Sequence, residues 1–185
     1  LLTHPDLRLR LRAQYHLAGR EDALPIFISA ANQRINPSER LHGIWGLGML
    51  ARKEKSEPAS NFLIRALKNT DHIVRGQAAQ ALGESTLTDG SPLLPLLQDP
   101  SLRVRALAAI ALGRKPAPDG TSHLVALLEE NNDRDPYLRH AGIMGLTGNA
   151  TPKEIISLAS HASAAVRRAA VIALRRLQDP EIVRF

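Results

Sequence analysis

No cysteine occurs anywhere in the 185 residues. That absence excludes a disulfide, a thiol nucleophile and every CxxC or CxxCH site for a metal or a haem, and it leaves the redox compartment open. Aromatic residues are almost as scarce, at 3%. Hydrophobic residues nevertheless reach 44%, so the apolar matter is mainly Leu, Ala and Ile, which build helices more readily than sheets. No apolar run approaches a membrane span, and the N-terminus carries no signal-peptide pattern, so no membrane insertion is expected of this segment. GxSxG, GxGxxG, the P-loop and HExxH are all missing, which leaves an enzymatic reading without a motif. The seven His residues form no ligand triad with a carboxylate at metal-site spacing. Glu129, Glu130 and Asp133 form an acidic turn that does not match the calcium-loop spacing. Neither metal nor cofactor is expected in the segment.

What is present is positive charge and repetition. The net charge is +6, and the 24 basic residues are 19 Arg and 5 Lys. This balance permits contact with nucleic acid, anionic lipid or an acidic protein without choosing among them. The stretch "DPSLRVRALAAIALGRK" at 99–115 restates "TDHIVRGQAAQALGES" at 70–85. Aligning the chain on VRxxAxxALG places Arg10, Arg40, Arg75, Arg105, Arg139 and Arg167 in one register, separated by 30, 35, 30, 34 and 28 residues. Such periods point to a solenoid of helix pairs.

Four residues before each Arg stand Asp6, Asn36, Asp71, Ser101, Asp135 and Ser163, all good helix N-caps. Pro37 and Pro136 follow at N1, where a missing N–H costs nothing. Eight residues after each Arg come Ala18, Gly48, Gly83, Gly113, Thr147 and Arg175. The glycines suit a C-cap or a close helix approach. Leu17, Leu47, Leu82, Leu112, Leu146 and Leu174 hold one fixed seam position among small Ala neighbours. Shorter apolar segments at 22–33, 57–69, 90–99, 120–131 and 151–160 read as the first helix of each pair. The expectation is an all-α, α-α superhelix of about six repeats and roughly eleven helices, forming a single solenoid domain over 1–185. It opens on a second-type helix and stops as a new first-type helix begins, so it reads as incomplete at both ends and as a fragment of a longer multidomain protein.

Asp71, Val74, Arg75, Ala78, Ala81, Leu82 and Gly83 spell "D..VR..A..ALG", and Ser101 through Gly113 repeat it more loosely. This pattern resembles the HEAT-repeat family and extends over essentially the whole chain. "RLHGIWGLGMLAR" at 40–52 and "NNDRDPYLRHAGIMGL" at 131–146 further resemble the HEAT-repeat part of the large membrane-bound dehydrogenases of planctomycetes and their relatives. That resemblance implies a bacterial parent, extracytoplasmic or membrane-associated, with a β-propeller on the N-terminal side. In many members a c-type haem domain is also present. Its redox chemistry would belong to modules outside a cysteine-free segment.

The six register arginines are expected to hold the solenoid together, each meeting an Asp or Asn of its own or the adjacent repeat. A separate basic set, Arg52, Lys53, Lys55, Arg114, Lys115, Arg175 and Arg176, with Arg20, falls past the ends of the second helices. It is a candidate partner-binding edge, although helix C-termini favour cations in any case. His42, Trp45 and Met49 share one helical face. They suit a partner anchor, a position near an adjoining haem, or packing between repeats. Tyr137, Arg139 and His140 are expected to cap and pack. The resulting expectation is a gently curved, right-handed, non-catalytic scaffold. Its concave face would be lined by second helices, and it would bind a protein or neighbouring domains of its own chain. One alternative is a nucleic-acid-binding module that uses the basic edge, with steep salt dependence. Another is a HEAT-like enzyme, for which DNA glycosylases and bilin lyases are precedents; it would need an ordered carboxylate or aromatic cluster in the concave groove.

Overall fold

The structure is a computed structural model, described here for residues 1–53, 55–180 and 182. It is all-α among those residues, and its elements alternate between first-type and second-type helices as in an α-α solenoid. The chain divides into two compact units, Leu1–Leu87 and Thr88–Phe185.

Unit 1 contains α1 (Leu7–Leu17), α2 (Ala23–Ala31), α3 (Pro37–Lys53), α4 (Glu57–Ala66) and α5 (His72–Glu84). The first-type α2 packs on α3, and α4 packs on both α3 and α5. Phe27, Ile44, Leu47, Leu63 and Leu82 fill the core between them. Gly46 faces the Phe27 ring so closely that a Cβ there would overlap it. Burial of these side chains contributes about 1.5–3 kcal/mol each relative to exposure.

Unit 2 contains a 3₁₀ segment (Ser91–Gln98), α6 (Leu102–Leu112), α7 (Gly120–Asn131), α8 (Pro136–Asn149), α9 (Pro152–Ser157) with a short 3₁₀ extension (Leu158–Ser160), and α10 (Ala164–Leu177). Leu124, Leu128, Leu138 and Leu146 are fully buried. Val166, Ala169, Ala170 and Leu174 of α10 close the core on that side. The helix expected over 90–99 is a 3₁₀ segment because Pro95 lies inside it. Proline lacks the N–H and crowds the carbonyl four residues back, so an α-ladder cannot form. The further first-type helix expected to begin at the end of the chain lies mostly outside the described residues.

All six second-type helices begin directly after the residue the register assigns as N-cap. Asp6, Asp71 and Asp135 accept the amides of Arg8, Ile73 and Leu138, and Asn36 accepts that of Glu39 at 3.0 Å. Ser101 and Ser163 make no side-chain cap bond. Their own N–H groups are held instead by Asp99 at 2.8 Å and by His161 Nδ1 at 3.2 Å.

The register glycines do not act as left-handed caps. Among the described residues no glycine has positive φ, and that region is taken by Lys55, Asn132, Asp133 and Gln178. Gly48 lies inside α3 against Ala81, and Gly113 lies against the α8 backbone. Their missing side chains permit close helix approach. Arg52 and Lys53 accordingly sit in the last turn of α3, and Arg175 and Arg176 in the last turn of α10.

Candidate functional site

The second-type helices of unit 1 converge on a groove of about 360 Å³. Its walls include Tyr15 from α1, Trp45 and Met49 from α3, and Gln80 from α5, with Gly48 and Ala81 small enough to leave the floor low. Arg52 and Glu84 pair at 3.4 Å along it. Tyr15 is 64% exposed. Trp45 is half-buried, and its indole N–H donates to Gln77 Oε1 at 2.6 Å, which fixes the ring between α3 and α5.

His42 is 1% exposed and lies beneath this surface, not on it. Arg10 Nε–H donates to its Nε2 at 3.1 Å. The ring proton therefore resides on Nδ1, which donates to Gln14 Oε1 at 2.7 Å. Gln14 Nε2 in turn donates to Met49 Sδ at 3.3 Å, and the His42 and Trp45 rings meet edge-on at 5.0 Å. Of the stripe His42, Trp45 and Met49, the last two reach the groove, and the first ties α1 to α3 under it.

Burial first, and then the charge of Arg10, hold the His42 pKa below its usual 6.5. The unfolded chain takes up this proton near the ordinary value and the folded chain does so only at lower pH. The neutral ring's stabilisation is thus complete above 6.5 and is lost as pH falls through the window below it. The difference in melting temperature between the protein and a His42→Gln variant should be level above about pH 7 and shrink toward about pH 5. A difference that stays constant over that range would remove His42 as the titrating group.

The register arginines do not form one uniform ladder. Arg10, Arg75 and Arg167 donate back to carbonyls of their own preceding loops, at His4 and Pro5, Asn69 and Thr70, and His161 and Ala162. Arg40 reaches Asp71 of the following repeat, and Arg105 grips Glu130 with two bonds of 3.0 and 2.7 Å. The hydrogen bond from Arg105 holds the Glu130 carboxyl below its usual pKa. Both of these reaching arginines bury an Nε with no partner. Arg139 stands 3.7 Å from Asp133, which also takes Arg168. Which acceptor each guanidinium finds depends on where the loops place an acid.

The basic edge is partly neutralised where it can be followed within a unit. Arg52 meets Glu84 and Arg20 meets Asp22 at 2.7 Å. Lys53 and Lys55 are exposed, Arg114 is exposed, and Lys115 is half-buried. Among the described residues no group of three or more His, Cys, Asp or Glu is placed to hold a metal, and no helix is long and apolar enough to cross a membrane.

Tyr15, Gln77, Gln80 and Glu84 are groove residues that motif reading passes over. A signal was available: Tyr15, Trp45 and Gln80 each stand five residues after a register Arg. No curated protein matches the chain. The family model described as HEAT repeat matches residues 91–114. That stretch comprises the proline-bearing 3₁₀ segment and α6, with Arg105 on its salt bridge and Gly113 against α8. The chain thus carries a HEAT repeat at 91–114 within an all-α fold of stacked helix pairs.

Proposed function

We propose that the chain is a non-catalytic scaffold that holds a polypeptide segment, from a partner or a neighbouring domain, in the groove of unit 1. The carrying observation is the groove's lining. Tyr15 and Trp45 offer broad, rigid apolar contact at little conformational cost. Gln80 offers both a donor and an acceptor to a peptide main chain. The low floor at Gly48 and Ala81 admits a backbone. HEAT repeats generally mediate protein interaction, which agrees with this assignment. No chemical step and no cofactor of its own are assigned to the segment. On the resemblance of 40–52 and 131–146 alone, we infer that the partner is a neighbouring domain of a bacterial large membrane-bound dehydrogenase.

A photo-crosslinking residue at position 15 would capture the partner in cells, and the purified pair would then be titrated. Trp45 is the single tryptophan, so its emission reports occupancy of the groove directly. Tyr15→Ala and Gln80→Ala should each weaken binding by about tenfold, near 1.4 kcal/mol, with an unchanged melting temperature. Binding that is indifferent to both substitutions would rule out the groove.

A further inference from the structure

Unit 2 presents a surface of different chemistry on its second-type helices, α6, α8 and α10, where α8 packs against both of the others. These three helices contain seven arginines and no aspartate or glutamate. The described acidic residues of the unit lie on first-type elements, caps and loops. Ile110, Met144 and Ile172 are half-buried and occupy the position five residues after a register Arg. In unit 1 that position is held by the groove-lining Tyr15, Trp45 and Gln80.

Basic groups rim this aliphatic band. With 3.6 residues per turn, Arg103, seven residues before Ile110, lies on the same stripe of α6. Arg175 and Arg176, three and four residues after Ile172, extend the stripe of α10. Arg105, Arg139, Arg167 and Arg168 are engaged by Glu130, Asp133 or loop carbonyls. Arg103, Arg175 and Arg176 are exposed and have no ion pair among the described residues.

We propose that this face of unit 2 binds an acidic amphipathic segment of a polypeptide. Its apolar side chains enter the band formed by Ile110, Met144 and Ile172, and its carboxylates meet Arg103, Arg175 and Arg176. An apolar band matches the hydrophobic stripe of such a segment, whereas a phosphate backbone leaves it empty, and its aliphatic side chains lack the aromatic platform on which bases stack. Three packed helices spaced about 8–10 Å apart span roughly 18 Å, the length of about 12 residues of helix. The site is distinct from the groove of unit 1 and stands or falls without it.

The full chain would be titrated with a fluorescein-labelled peptide of about 18 residues, built from Glu, Leu and Ala with Leu on one helical face. One companion peptide replaces Glu by Lys and another replaces Leu by Ser. The acidic amphipathic peptide should bind at least about tenfold more tightly than either companion. The Arg175→Gln, Arg176→Gln double variant removes both charges from the last turn of α10 without placing carboxylates there, so it should lower the melting temperature by at most a few degrees and lose about tenfold or more in affinity. Trp45 emission should stay constant throughout, which separates this site from the groove. The proposal is overturned if the acidic peptide does not bind. It also falls if the Ser-substituted peptide binds equally well. Tighter binding of labelled duplex DNA or of phosphatidylserine vesicles, lost in the same double variant, would replace it with a general anion-binding face. None of these failures touches the unit 1 groove.

Discussion

Gly148→Ala should lower the melting transition of unit 2 by more than about 10 °C, although the position lies at a helix end and is solvent-exposed. A Cβ on Gly148 would come within 2.6 Å of the Gly113 carbonyl carbon and 2.7 Å of its Cα, with the carbonyl oxygen nearer still. All three are backbone atoms, so no flexible side chain can yield. Either α6 and α8 move apart or a peptide unit rotates. Gly145 lies in the same crossing, where a Cβ would meet the Ala109 carbonyl oxygen at 2.7 Å, so separating the helices would loosen the whole contact. Overpacking typically costs about 1–3 kcal/mol and occasionally more, and an all-backbone neighbour puts this case at the top of that range. In a unit of about 100 residues each kcal/mol moves the transition by roughly 4–8 °C. Gly19→Ala is the control, because its Cβ would find only the His16 carbonyl oxygen at an ordinary 3.6 Å. That change should be neutral or stabilising by up to about 1 kcal/mol. Equal melting of the Gly148 variant and the parent would mean that α6 and α8 do not cross as closely as described.

Phe27→Ala should cost about 3–5 kcal/mol in chemical denaturation, because the ring is 0% exposed and fills the seam between α2 and α3. Gly46→Ala should also be strongly destabilising, since its new methyl would overlap the same ring. The two positions are coupled in a way that simple cavity arguments do not anticipate. Shortening the ring to Leu makes room for the methyl, so Phe27→Leu with Gly46→Ala should be more stable than the sum of its single changes by about 1–3 kcal/mol. Strict additivity would show that ring and glycine do not share one space.

The two cases mark a limit in what the residue pattern conveys. The start of every second-type helix was legible, because a cap involves only residues within one turn of each other. Asp71 and Asp135 accept nearby amides whatever the rest of the chain does. Proline is equally local: Pro95 makes its own segment 3₁₀, an outcome readable from "SPLLPLLQ" by the same rule and differing from the expected α-helix. The glycines were ambiguous for the opposite reason. A C-cap and a close crossing call for the same residue, and only a neighbouring helix distinguishes them.

The sequence by itself determined the period, the pairing of helices, the six helix starts and the apolar seam. All of these rest on contacts close in the chain or on a repeating spacing of apolar residues. The tertiary structure alone decided where each register guanidinium found its acceptor. Arg10 turns to its own loop and to His42, whereas Arg105 crosses to Glu130, and equal positions in the repeat do not distinguish them. It also decided that Tyr15, Trp45 and Gln80 meet around one groove. A repeat sets the direction in which a side chain leaves its helix, but what that side chain meets is set by groups some 30 residues away.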